Sequence, residues 1–198
     1  MMIRKIYKLI AVTSLIATAI TVNSFADQWQ GDYSGMTPAI CEQYKAIVMA
    51  EHAVSNGTGY KLFNLDDDNI PEMTINYPGY GLKILSSDGT NVYFIGTDAY
   101  GGYDLPYGTH GREYSCYERS GRIDTGARIG ATSIYVPEYL FYDKALKTFW
   151  QTETAPVIEG NPVELCYDDL SAAEMHRDLD LIAQGKQPLG GGGNWAEG

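Results

Sequence analysis

The chain has 198 residues, with 14 Lys and Arg against 25 Asp and Glu and a formal net charge of −11. That balance argues against nucleic acid or an anionic membrane surface as a partner, because both are held by Lys/Arg patches. The length allows one domain with a sizeable core, and no apolar run beyond the N-terminal segment is long enough to span a bilayer.

Met1 to Ala26 reads as a signal peptide. Arg4, Lys5 and Lys8 supply the positive start, an apolar run follows from Leu9 to about Val22, and Ser24-Phe25-Ala26 makes a small-x-small cleavage pattern. No Cys follows that site, which argues against a lipid anchor there. The expected mature protein begins at Asp27 and is exported to the periplasm or the exterior. Loss of three basic residues leaves 11 against 25 acidic, a net charge of −14. Such acidity suits solubility and divalent cations.

Thr37-Pro38 opens a helix, with a hydroxyl N-cap and Pro at the first helical position. Ile40, Tyr44, Ile47 and Val48 repeat at helical spacing, and Asn56-Gly57 ends the pattern. Strands are predicted next, from Tyr60 to Leu65 and from Met73 to Tyr77. In the second, Met73, Ile75 and Tyr77 alternate with Glu72, Thr74 and Asn76, a half-buried pattern. Gly81–Ser86 and Asn91–Gly96 flank the hairpin signal Ser87-Asp88-Gly89. Arg112–Glu118 and Arg122–Thr125 flank Ser120-Gly121, and Ala131–Tyr142 and Lys147–Thr152 flank Asp143-Lys144. Pro137 marks an edge or a bulge. A closing helix spans Asp168 to Ala183, with a Ser171/Glu174 capping box, a Leu170–Met175 staple and a stop at Gly185. The expected fold class is α+β: an N-terminal helix, an antiparallel meander of about six strands and a C-terminal helix. The expected organisation is a signal peptide over 1–26, a single domain over 27–186 and a flexible tail over 187–198.

Between the first two strands lies FNLDDDNIPEMTI, Phe63 to Ile75. Oxygen-bearing residues fall at Asn64, Asp66, Asp68 and Glu72, positions 1, 3, 5 and 9 of a loop, with the Ile70 carbonyl at position 7. A hard cation such as calcium needs six to eight oxygens at short range, and this spacing supplies them. Asn69 stands at position 6, where a sharp left-handed turn is expected; Asn tolerates that conformation. The competing reading is a solvated acidic turn held by Asx-type hydrogen bonds.

The stretch resembles the DxDxDGxxE calcium loops of EF-hand, dockerin and integrin-type repeats. It is closer to the F-x-D-I-D-G-D-G-x-P-E-L pattern of uncharacterised secreted bacterial domains, in which a helix precedes the loop and a Tyr-rich antiparallel sheet follows. Asn64 stands for the first Asp, Asn69 for the Gly, and Ile75 for the acid at position 12 of an EF-hand. The flanks YKLF and EMTINY read as strands, so the loop is β-flanked rather than an EF-hand. The resemblance implies one structural calcium ion held by Asn64, Asp66, Asp68, Ile70 and Glu72.

Of the three Cys, Cys116 and Cys166 form the more plausible disulfide pair in an exported protein, with Cys41 on the buried face of the first helix; connectivity stays open. The chain has 16 Tyr. Tyr100, Tyr103 and Tyr107 sit among glycines in DAYGGYDLPYGTHG and suit contact with an unknown carbohydrate, peptide or protein ligand. His110 joins that surface. It is also the centre of the rival reading, a secreted hydrolase, which no nucleophile elbow, HExxH or paired-carboxylate signature supports. A metal-free interaction or inhibitor module is the third reading. The balance is against an enzyme.

Overall fold

The structure is a computed structural model that describes residues 32–77, 81–97, 113–128, 135–160, 162–165 and 169–190. The expected signal peptide, Tyr100, Tyr103, Tyr107, His110, Cys166 and residues 191–198 lie outside the described residues.

Helix α1 runs Pro38–Val54 and begins as its sequence dictates: Thr37 Oγ1 accepts the Ile40 N–H at 3.3 Å, with Pro at the first turn. It buries Ile40, Cys41, Tyr44, Lys45 and Val48. Strands β1 (Gly59–Phe63), β2 (Glu72–Tyr77), β3 (Gly81–Ser87) and β4 (Val92–Thr97) form one antiparallel sheet in that order. Strands β5 (Glu113–Tyr117), β6 (Arg122–Arg128), β7 (Tyr135–Asp143), β8 (Thr148–Thr152) and β9 (Val163–Glu164) form a second, ordered β8-β7-β6-β5-β9. Helix α2, Ala172–Ala183, starts with the Ser171/Glu174 capping box and is followed by Gly185 at φ +70°.

The α+β class and both helices agree with the sequence reading. Among the described residues the antiparallel strands are arranged as two sheets, of four and five, where the sequence suggested about six in a meander. The cause is visible in β1 to β4. Tyr60, Leu62, Met73, Ile75 and Leu85 pack with the helices, while Phe63, Leu82, Ile84 and Ile95 pack with Tyr114, Cys116 and Ile123 of the second sheet. An apolar set on each face needs a layer on each face. The first sheet is therefore the middle layer. Full burial of each of its Leu or Ile side chains contributes about 1.5–3 kcal/mol.

This sandwiching also corrects the half-buried pattern of β2. Glu72 is 1% exposed and Thr74 0%, because the face that carries them meets the second sheet rather than water. Lys61 is buried on the same face and donates to the Glu164 carbonyl of β9 at 2.6 Å. Pro137 sits where β7 has β6 as a partner but β8 has not yet begun, since β8 pairing starts at Tyr139. It is thus at a local edge, where a missing N–H costs nothing.

The C-terminal segment is tied to β1 before α2 begins: Tyr60 and Leu170 exchange both backbone hydrogen bonds, at 2.9 and 2.8 Å. After α2, the buried carboxylate of Asp178 accepts the Leu189 and Gly190 N–H groups at 3.2 and 2.8 Å. These bonds hold the chain through Gly190.

Candidate metal loop

Strands β1 and β2 pair up to Phe63–Glu72, so residues 64–71 leave and return at one end of the middle sheet. The loop is β-flanked, as expected. Within it Asp66 Oδ1 accepts the Asp68 N–H at 2.9 Å, and Asp68 Oδ1 accepts the Ile70 N–H at 2.8 Å. These are two consecutive Asx turns. They occupy one oxygen of each carboxylate and leave the other to a cation. Lys144, from the turn between β7 and β8, is that cation: its Nζ lies 2.9 Å from Asp66 Oδ2 and 2.7 Å from Asp68 Oδ2. Partial burial opposes the ammonium charge, but the hydrogen bond to Asp68 and the ion pair with Asp66 outweigh it and raise the Lys144 pKa.

Asn64 is 4% exposed, and its side-chain Oδ1 is buried with no hydrogen-bond partner among the described residues. Its carbonyl accepts the Arg119 N–H at 2.8 Å. Glu72 opens β2 and is turned into the interior. Its Oε2 accepts the Leu65 N–H at 2.8 Å and its Oε1 accepts the Ser86 hydroxyl at 2.9 Å. Burial pushes the Glu72 carboxyl up to about 8; the negative charges of Asp66 and Asp68 add to the rise, and the two donors oppose it. Ile70 packs its side chain against the core under the helices.

Asn69 is a correction. Its φ is not positive; the non-Gly residues of positive φ among those described are Arg119 and Lys147. The Asn69 carbonyl accepts the Gly35 N–H at 2.9 Å, and that anchor carries the chain through the bend without a left-handed residue. Arg119 lies over the same stretch, with Nη1 3.4 Å from both the Asp67 and Asp68 carbonyls.

Among the described residues no three His, Cys, Asp or Glu side chains gather into a metal-holding group. Asp66 and Asp68 converge, whereas both Glu72 oxygens already have protein donors. Sequence reasoning missed Lys144 and Arg119. Neither carries a local signal, since Lys144 is 76 residues from Asp68 and Arg119 is 52 from Asp67. Cys116 is buried with a free thiol, as is Cys41; Cys166, the expected partner of Cys116, lies outside the described residues. The chain matches no known protein family, curated protein or solved structure.

Proposed function

We propose that this is an exported protein whose loop 64–72 binds one structural calcium ion, with the Tyr100, Tyr103, Tyr107 and His110 segment as a surface for a carbohydrate, peptide or protein ligand. One observation carries the calcium reading: Asp66 and Asp68 each direct an Oδ2 at a single cationic position, now held by Lys144 Nζ at 2.9 and 2.7 Å. Asn64 Oδ1 and Asp66 Oδ2 are both buried without a hydrogen-bond partner among the described residues, the second meeting Lys144 as an ion pair alone, and orphaned buried acceptors are costly and suit a hard cation. Asp66, Asp68 and Asn64 are the residues to hold the ion, with Glu72 and the Ile70 carbonyl completing the expected set. When bound, calcium supplies the positive charge that lets neighbouring carboxylates stay ionised. The loop joins two strands of the middle sheet, so the role is structural.

A thermal melt with chelator and with millimolar calcium tests the reading. A ligand bound only by the folded state stabilises it by mass action, by about 2.7 kcal/mol at a hundred times Kd. The expected result is a higher Tm in calcium. Identical melts would remove the calcium reading.

A further inference from the structure

We infer that Lys144 is a tethered counter-cation of the loop, and that calcium enters by displacing it; this rests on the calcium reading above. The turn between β7 and β8 reaches the acidic end of the middle sheet through two lysines. Lys144 Nζ bridges Asp66 and Asp68, and Lys147 Nζ lies 3.0 Å from Asp88 Oδ2 and 3.8 Å from the centre of the Tyr93 ring. The Lys144 ammonium uses the carboxylate oxygens that the two Asx turns leave open. An ammonium and a divalent ion cannot share them, because like charges at that range repel.

Lys144 is free to leave. Its side chain is 52% exposed, so the displaced ammonium passes into water rather than being stranded in the interior. The Lys147–Asp88 pair is separate from the loop and keeps the turn in place. Two consequences follow for the molecule. Without metal, Lys144 offsets one of the two carboxylate charges and bridges Asp66 to Asp68. With metal, the apparent affinity is lowered by the fraction of molecules in which Lys144 occupies the site.

The experiment is calorimetric titration of calcium chloride into the wild type, Lys144→Gln and Lys147→Gln, with circular dichroism to confirm that each is folded. Lys144→Arg is a further variant that keeps the charge. Lys144→Gln is expected to bind calcium about tenfold more tightly than wild type. Lys147→Gln, which removes the same charge from the same turn, is expected to stay within about twofold of wild type, and Lys144→Arg to show no gain. In chelator Lys144→Gln melts below wild type, and calcium restores it. Measurable and equal affinities in wild type and Lys144→Gln overturn the inference and leave the calcium reading standing. Equal gains in Lys144→Gln and Lys147→Gln also overturn it, because a general field effect then explains the change. Absence of calcium binding in every variant removes the calcium reading, and the inference with it.

Discussion

The Leu65 N–H donates to Glu72 Oε2 at 2.8 Å, so the first residue of the strand that leaves the acidic loop holds the start of the loop itself. The same carboxylate takes the Ser86 hydroxyl of β3 and lies between the two sheets. Burial raises its pKa from 4.5 to about 8. The folded state therefore binds the Glu72 proton more tightly than the unfolded chain does. The stability this contributes is fully present below about pH 4.5 and is lost as pH rises through about 8. Denaturant unfolding of the chelated protein at pH 5 and pH 8 is expected to show that loss. In Glu72→Gln, which cannot titrate, the difference between the two pH values shrinks. A wild type no more pH-sensitive than Glu72→Gln contradicts the assignment.

The loop positions make separable contributions to calcium stabilisation. Asp66→Ala and Asp68→Ala each remove an Oδ2 from the shared cation position and are expected to abolish the calcium-dependent rise in Tm. Asp67 is exposed and contacts Arg119 through its carbonyl alone among the bonds described, so Asp67→Ala retains the rise. Asn69→Gly gains nothing from glycine's left-handed freedom, because Asn69 does not adopt positive φ. It is expected to cost about 0.5–1 kcal/mol through the added freedom of the unfolded chain. An Asn69→Gly protein more stable than wild type contradicts this.

Gly35 holds the loop from the N-terminal side. A Cβ there would meet the Asn69 carbonyl oxygen and Ile70 Cγ1 at 2.6 Å, and the first of these is backbone that cannot swing aside. Gly35→Ala is expected to destabilise by about 1–3 kcal/mol, as overpacking does, and to weaken the calcium-dependent shift by moving residues 69 and 70. Gly57→Ala is the control, since a Cβ there meets nothing within 4 Å. Equal effects of the two substitutions would show that the close approach at Gly35 is unimportant.

Cys41 and Cys116 are both buried as free thiols. Burial pushes the Cys41 thiol up to about 11 against the nearby Lys45, and pushes Cys116 higher still. Thiolate is the reactive form, so both should resist iodoacetamide at pH 8 in the native protein and react after unfolding in denaturant. Peptide mass mapping after each treatment reads this directly. A Cys116 that stays unmodified after unfolding, and is released only by reductant, marks a disulfide instead.

The local features were legible because their signals lie within a few residues of one another. Thr37 and Pro38 specify the start of α1 by a side chain reaching Ile40, and Ser171 and Glu174 specify α2 by bonding across one turn. The strand flanks of the acidic loop were legible from their residue pattern, and the Asx turns are those of the competing acidic-turn reading. The half-buried reading of β2 missed the burial of Glu72 and Thr74, since alternation tells which residues share a face and not what covers that face. Asn69 was misread because a loop template carries its own backbone with it, whereas here Gly35 anchors the bend.

By itself the sequence determined the helices, the β-flanked loop and the acidic positions within it, all of which depend on backbone dihedrals and hydrogen bonds between near neighbours. The tertiary structure decided the rest. It split the strands into two sheets, since the sheet of β1 to β4 carries apolar side chains on both faces and cannot be covered from one side. It buried Glu72 and Lys61 between the layers. It also brought Lys144 to Asp66 and Asp68, a meeting that depends on how the turn between β7 and β8 lands on the middle sheet. Long-range register of that kind is fixed by the packing of whole faces, and no run of neighbouring residues encodes it.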